Sequence, residues 1–352
     1  MKKIPYAVAV AKQAEVLERN RPALAPAARA FADLVAPDAV IGVIGIGASY
    51  YAGLSALREL WRVGRRAILV DAGQLWEDPE VSVADAYLAI SASGESRETV
   101  QAIRALREAG TPVRVAAVMA EDTERLGSIS DQSIPCADPE DSVPATVSYM
   151  GTLQALSFLS AALGGADLDA LEREWAAVPA AIDTLLTELE QPADAVVDRF
   201  QATTAFDFVG DKDSLGSAAE GALLLREAPR LPTAWFDSRS YLHGPMESLQ
   251  SDRGIVLVGD AGEDGLSIIA RQAAELDCPR AIVTHSPQDE IDVPQLVVPD
   301  LGGGLIRAAV EMAALQVLSG RLAVRLERTD GRFRYPQDQL KLDRVPDTAP
   351  TQ

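Results

Sequence analysis

The sequence is poor in cysteine. Its 352 residues include only two, Cys136 and Cys278. Two cysteines so far apart form no disulfide framework and do not have the spacing of a metal site. We therefore expect a protein of a reducing compartment, the cytoplasm, without a metal centre.

Long apolar runs and positive charge are also lacking. No apolar run approaches the roughly 18–20 residues that span a bilayer. The run at residues 6–11, behind two lysines, is too short for the core of a signal peptide. The chain has 32 lysines and arginines against 52 acidic residues, a formal net charge of −20. This charge argues against nucleic acid or an anionic membrane surface as a partner.

What the sequence does contain is a serine-rich turn between a strand-like and a helix-like run. Residues 86–90 are apolar, and Ser91-Ala92-Ser93-Gly94-Glu95-Ser96 follows them. Backbone N–H groups and the positive end of a helix dipole meet in such a turn, and the hydroxyls of Ser91, Ser93, Ser96 and Thr99 add donors. The turn has neither the P-loop lysine nor three spaced glycines, so it favours a phosphomonoester over a nucleotide. The alternative is an ordinary loop whose serines cap the helix.

The rest of the first half alternates strand-like and helix-like segments. A helical lead-in interrupted by Pro22 and Pro26 precedes them. The predicted strands cover residues 39–47, 67–70, 86–90 and 113–119, and the predicted helices include 48–63 and 145–163. This alternation predicts a parallel sheet covered on both faces, with ligands at the carboxyl ends of its strands. Residues 47–49 and 91–96 would then share one edge.

The second half repeats the first in outline. A charged helical connection at residues 167–189, with Pro179 inside, leads into it. Its predicted strands cover 206–209, 255–258 and 281–284, and its helices 217–227 and a segment ending near 276. We predict two copies of one α/β unit. The loop of the second copy carries Asp260, Glu263 and Asp264 instead of serines, so only the first copy should bind a phosphate.

Several segments, in this order, resemble the proteins with two sugar isomerase (SIS) domains, typified by the isomerase half of glucosamine-6-phosphate synthase. The resemblance extends from about residue 39 to 341. The matching segments are Gly47-Ala48-Ser49, Ser91 to Ser96, Val143, Glu220-Gly221-Ala222-Leu223 with Glu227, His243-Gly244-Pro245, and Pro336 to Lys341. It implies an α/β fold of two tandem SIS-type, doubly wound parallel-sheet (flavodoxin-like) domains.

The resemblance also implies a domain division and a quaternary structure. The segments are a helical lead-in at 1–36, a first SIS domain at 37–165, a helical linker at 166–200, a second SIS domain at 201–325 and a tail at 326–352 that covers the site. In the family the histidine segment reaches into the neighbouring subunit's site. A homodimer that shares the His243 segment is therefore expected, as are a phosphorylated sugar or aminosugar as substrate and no cofactor.

The candidate catalytic residues are Glu227, His243 and Lys341. Histidine suits opening of a sugar ring, a glutamate of raised pKa can move a carbon-bound proton, and a lysine can form a Schiff base with a ketose. Each residue also has a purely structural interpretation. His243 could be a turn residue, Glu227 a surface residue of a helix, and Lys341 a solvated charge of the tail. The candidate substrate-binding residues are Gly47, Ser49, Ser91, Ala92, Ser93, Ser96, Thr99, Val143 and Leu224.

Departures from the family pattern bear on the reaction. The chain has no amidotransferase domain and no cysteine after Met1, so we expect no use of glutamine as an ammonia source. Leu224 replaces a lysine, Ala92 a glutamine and Ala145 a serine of the synthase. We therefore predict an aldose–ketose isomerase or aminosugar-phosphate deaminase. The alternatives are a fructosamine-phosphate deglycase and a sugar-phosphate-binding regulator without catalysis.

Overall fold

The computed structural model describes residues 2–120, 125–136, 140–260, 265–288, 293–329, 331–335 and 340. Its first half begins with a short strand and a long helix and continues as an α/β unit. The elements are β1 (Lys2–Lys3), α1 (Tyr6–Ala32), β2 (Ile41–Gly45), α2 (Ala48–Arg62), β3 (Ala67–Asp71), α3 (Ala72–Glu77), β4 (Ala86–Ile90), α4 (Arg97–Glu108), β5 (Arg114–Met119), β6 (Gln132–Pro135), β7 (Glu140–Asp141) and α5 (Val147–Leu163).

Three helices lead into the second half, which repeats the α/β pattern. The elements are α6 (Leu168–Trp175), α7 (Val178–Glu188), α8 (Glu190–Arg199), β8 (Ala205–Gly210), α9 (Leu215–Glu227), β9 (Thr233–Asp237), α10 (Ser238–Leu242), β10 (Arg253–Val258), α11 (Gly265–Glu275), β11 (Arg280–Thr284), β12 (Gln295–Val297) and α12 (Gly304–Arg325). None of the helices in these described parts is long and apolar enough to cross a membrane.

The two large sheets have the same topology. The first has the strand order β3-β2-β4-β5-β6 and the second β9-β8-β10-β11-β12, and every pair is parallel. Numbered within each unit, both orders read 2-1-3-4-5, which is the flavodoxin-like doubly wound order. The predicted fold class of two tandem parallel-sheet α/β domains is confirmed. In each sheet the order in which strands are added reverses between the first and third strands of the unit, so a crevice opens beyond their carboxyl ends.

The two halves share one apolar core. Val43 and Leu156 from the first half belong to the same buried cluster as Phe208 and Leu315 from the second. Helices α2, α5, α9 and α12 pack against one another there. Residues on all sides of α5 are buried, because α1 and α2 cover it from the first half and α12 from the second.

Two predictions about helices were wrong. Pro22 and Pro26 do not interrupt the lead-in, since α1 is one helix with both prolines inside it. Its packing on α5, which buries Leu24 and Phe31 completely, offsets the hydrogen bonds that two prolines remove. The charged connection is not one helix with Pro179 inside, because α6 ends before it and Pro179 occupies the first turn of α7. The first turn is where a helix tolerates the missing N–H of proline.

Candidate active site

A cavity of about 520 Å³ lies at the crevice of the first sheet. Its wall combines the loops that follow β2 and β4, the start of α5, the end of α9 and strand β1. The lining residues are Lys3, Ile46, Gly47, Ala48, Ser49, Ala92, Ser93, Glu95, Ser96, Glu98, Ser142, Val143, Ala145, Ser148, Leu223, Glu227, Phe333 and Leu340. Six of the nine substrate-binding candidates, Gly47, Ser49, Ala92, Ser93, Ser96 and Val143, are among them.

The loop at residues 91–96, called the serine loop below, is held from inside by Ser91. This residue is buried, its Oγ donates to the Ser96 Oγ at 3.0 Å, and it accepts a hydrogen bond from the Ser96 backbone N–H at 3.2 Å. Gly94 closes the turn with φ of +64° and donates its N–H to the Ser91 carbonyl at 2.7 Å. Ser93 and Ser96 face the cavity. Ser91 therefore shapes the loop from inside, and Ser93 and Ser96 lie in the cavity wall.

The serines do not act as a side-chain cap for α4. Ser96 is the N-cap residue, yet its side chain accepts no hydrogen bond from the first turn. The Arg97 N–H donates to the carbonyl of Leu340 at 3.1 Å, which places this tail residue at the cavity. Gly47, the N-cap of α2, has φ of +58°, a conformation that favours glycine. The N-termini of α2 and α4 thus both point at one cavity, and their dipoles favour an anion there.

Glu227 stands at the other side of the cavity, as the last residue of α9. Burial raises the pKa of its carboxyl from 4.5 to about 7, and the positive charge of Lys3 counteracts part of that rise. Glu220, two turns earlier on α9, is buried and does not line the cavity. Burial, and to a lesser degree the charge of Glu227, raises the pKa of Glu220 well above its ordinary value. A carboxyl that titrates near neutrality can exchange a proton in both directions.

Lys3 reaches the cavity through the two-residue strand β1. This strand pairs with β7, so that Lys3 lies beside Asp141. The Lys3 ammonium donates to the Ser142 carbonyl at 3.1 Å. Lys3 is therefore a cation in the same cavity as Glu227, and nothing in the sequence pattern pointed to it.

Asp141 organises the loop that carries Val143 into the cavity. Its carboxylate is fully buried and accepts from the backbone N–H groups of Thr146, Val147 and Ser148 at 3.1 Å each. It also accepts from the Thr146 hydroxyl at 3.0 Å and from the Ser148 hydroxyl. A buried carboxylate is held in this way where an N-terminal helix turn supplies the donors. Asp141 thereby fixes α5 and the loop before it.

Three of the predicted binding residues do not line the cavity. Leu224 is fully buried in the shared core, and its neighbour Leu223 lines the cavity instead, because positions 223 and 227 are one helical turn apart. Thr99 is fully buried in α4, where its hydroxyl has no partner among the described residues. Ser91 is buried beneath the loop, as described above. The side chains of Leu224 and Thr99 thus pack inward from their helices, and their contact with a ligand stays a prediction.

Of the two catalytic candidates that lie in the described part of the chain, the structure places only Glu227 in the cavity. Glu227 lines the cavity, whereas His243 is exposed after α10 and is not part of the wall. Lys341 lies outside the described residues, as do Pro336, Gln337, Asp338 and Gln339 of the same predicted segment. A role for His243 in this site would require a second subunit, so the shared homodimer stays a prediction.

The crevice of the second sheet is acidic. A cavity of about 440 Å³ there is lined by Asp211, Asp213 and Asp260, with Lys212, Ser214 and Arg307 nearby. Asp260 accepts from Arg307 at 3.1 Å and from the His285 N–H at 2.9 Å. Burial opposes ionisation of Asp260, but these hydrogen bonds lower its pKa. Glu263 and Asp264, predicted to repel phosphate here together with Asp260, lie outside the described residues.

Known proteins are similar to this chain in sequence. The chain is 30% identical over 241 residues to a glutamine–fructose-6-phosphate aminotransferase (isomerizing) of Pyrobaculum aerophilum, a match that covers 66% of this chain and 40% of the relative. It is 26% identical over 305 residues to a protein of that name from Thermus thermophilus, covering 82% of this chain and 50% of the relative. The chain thus spans about half the length, or less, of these relatives. No protein-family model matches it.

A solved structure matches over nearly the whole chain. The C-terminal domain of glucosamine-fructose-6-phosphate aminotransferase from Francisella tularensis superposes with a TM-score of 0.82 at 18% identity, covering 93% of this chain and 97% of that one. The solved structure therefore has the same fold of two doubly wound parallel sheets. In sequence and in fold the chain is thus similar to these aminotransferases, in line with the resemblance to the sugar isomerase (SIS) domain proteins.

Proposed function

We propose that this protein is an enzyme that binds a hexose 6-phosphate or its amino derivative and moves a proton between adjacent carbons of the sugar. The observation that carries the proposal is that Glu227 and the serine loop face one cavity. The loop suits the phosphate, and Glu227 suits the proton transfer. The names of the relatives, which refer to fructose 6-phosphate, support the same class of substrate.

The phosphate would bind where α2 and α4 begin. Ser93 and Ser96 offer hydroxyl donors, and Ser49 lies at the start of α2 on the same wall. Two helix N-termini supply a local positive potential that a net charge of −20 does not abolish, because the dipole acts within the first turn. Residues 91–96 themselves contain no basic side chain, so the donors of this loop are hydroxyls and backbone N–H groups.

The proton transfer would take place beside Glu227. In its ionised form this carboxylate accepts the proton from the carbon next to the carbonyl, and it returns the proton to the neighbouring carbon. The Lys3 ammonium, in the same cavity, would stabilise negative charge on the sugar oxygen as the enediol forms. Two further roles rest on the resemblance alone. His243 of a partner subunit would open the sugar ring, and Lys341 would form a Schiff base with the ketose.

The experiment is an assay of ammonia release from glucosamine 6-phosphate. A deaminase converts glucosamine 6-phosphate and water into fructose 6-phosphate and ammonia, and a coupled assay measures the ammonia. We expect release by the unmodified protein and little by Glu227→Gln. Release that is unchanged in Glu227→Gln would remove Glu227 from the mechanism. A sugar phosphate that raises the melting temperature without any turnover, on this substrate or on fructosamine 6-phosphates, would indicate the regulator instead.

A further inference from the structure

A second cavity adjoins the first on the far side of Glu227. It has a volume of about 470 Å³ and shares Glu227 and Val143 with the first cavity. Its walls come from the start of α1 and from α7 and α12, elements that contribute nothing to the serine loop. The first cavity alone, at about 520 Å³, lies within the range of small-ligand sites, about 300–1,000 Å³. A sugar phosphate therefore leaves the second cavity to another group.

The lining of the second cavity is largely apolar, with Val324 exposed at its edge. Val10 of α1, Leu186 of α7, and Val317 and Val324 of α12 line it, and the ring of Tyr6 forms part of the wall. None of these residues belongs to the first cavity, whose wall is rich in hydroxyls. The two cavities therefore differ in chemistry, although the same carboxyl borders both.

Positive charge surrounds the second cavity. Arg321, Arg328 and Arg332 line it together with Glu190 and Glu227. Arg321 pairs with Glu190 at 3.1 Å, whereas the Arg328 guanidinium donates to backbone carbonyls, including that of Arg230 at 3.2 Å. Carbonyl partners do not neutralise the charge of Arg328. In a chain with 52 acidic and 32 basic residues, this local excess of arginine favours an anionic group at the rim.

We propose that the second cavity binds a substituent attached through an amine nitrogen to the reacting end of the sugar, and that this substituent is an apolar group bearing a carboxylate. The apolar part would lie among Val10, Val317 and Val324, and the carboxylate would lie near the arginines. Glu227 would then stand at the carbon that carries the nitrogen, between the two binding regions. This inference rests on the proposed function, because it extends the sugar phosphate bound in the first cavity.

The test compares three ligands by isothermal titration calorimetry. They are fructose 6-phosphate, 6-phosphofructosyl-glycine and 6-phosphofructosyl-leucine. The last two differ only in an apolar side chain, so we expect the leucine conjugate to bind about tenfold more tightly, as partial burial of such a side chain predicts. A fourth ligand, in which 3-methylbutylamine replaces the leucine, lacks the carboxylate and should bind about threefold or more weakly than the leucine conjugate.

A matched pair of variants locates the effect. Ala7 is exposed on α1 and lines the second cavity, so Ala7→Trp should narrow it and bring the leucine conjugate to the affinity of the glycine conjugate. Ala23 is exposed on the same helix but lines neither cavity, so Ala23→Trp should keep the tenfold preference. Loss of the preference in both variants would place the substituent elsewhere.

Failure of the inference and failure of the proposed function give different results. If the protein binds fructose 6-phosphate but binds the glycine and leucine conjugates with equal affinity, the second cavity does not bind the substituent. The phosphate site would remain supported in that case. No binding of fructose 6-phosphate or of either conjugate would overturn the proposed function, and the inference with it. A preference that survives Ala7→Trp would also overturn the inference, because the apolar side chain would then lie outside this cavity.

Discussion

Replacing Glu227 by glutamine should change the pH dependence of stability in a direction that the structure fixes. Burial raises the pKa of this carboxyl from 4.5 to about 7 in the folded protein. The folded state therefore holds the proton more tightly than the unfolded state. Below about pH 4.5 the carboxyl is protonated in both states, so its ionisation does not lower the free energy of unfolding. Between that value and about 7 the unfolded state loses its proton first, so the free energy of unfolding falls as the pH rises.

The size of the effect follows from the two pKa values. The difference corresponds to about 3 kcal/mol when the group is fully ionised. Glutamine has nearly the same shape and stays neutral. We therefore expect Glu227→Gln to match the unmodified protein near pH 4.5 and to exceed its free energy of unfolding by about 1–3 kcal/mol near pH 8, the lower figure allowing for solvent access at the cavity.

Urea unfolding at a series of pH values measures this difference. Glu188→Gln is the matched control, because Glu188 is exposed on α7 and its replacement removes the same charge from the surface. The control should change the free energy of unfolding by no more than about 0.5 kcal/mol. A difference between Glu227→Gln and the unmodified protein that does not grow from acid to neutral pH would refute the buried-carboxyl argument.

Three further variants test other parts of the site. Ser96→Ala should weaken the binding of fructose 6-phosphate by about 1.5–3 kcal/mol, since it removes a hydroxyl donor to a charged group; calorimetry measures this, and an unchanged affinity would contradict the phosphate site. Lys3→Met removes the charge that lowers the pKa of Glu227, so the acidic limb of the pH profile of kcat/KM should move above about pH 7. An unchanged acidic limb would contradict the effect of Lys3 on the pKa of Glu227. Asp141→Asn should reduce the free energy of unfolding by about 2–3 kcal/mol, because an amide N–H₂ would face backbone donors; urea unfolding that shows no loss would contradict its role.

Most strands of the two sheets and the serine loop could be predicted from the sequence. Strands such as β4 are buried on both faces and read as short apolar runs, and Gly45 and Ser91 mark where strands end. The order of strands could not be read from such runs, and it came from the resemblance. Three short strands of the large sheets, β6, β9 and β12, were not predicted, because their residues show no continuous apolar pattern.

The parts of the site that depend on packing could not be predicted. Lys3 enters the cavity only because β1 pairs with β7, about 140 residues later, and a two-residue strand has no sequence signature. Leu223 could have been predicted as a lining residue, since it lies one turn before Glu227, but the resemblance indicated Leu224 instead. Whether a helical residue faces a cavity or a core depends on which helices pack beside it, and α12 covers α9 on the side of Leu224.

The central claim is that Glu227 moves a proton on a sugar phosphate bound in the first cavity. Incorporation of deuterium from D₂O into fructose 6-phosphate, followed by NMR at the carbon next to the carbonyl, tests it for either direction of the reaction. We predict incorporation by the unmodified protein and at least a hundredfold slower incorporation by Glu227→Gln. The same rate in both proteins, or no incorporation while calorimetry shows the sugar phosphate bound, would contradict the claim.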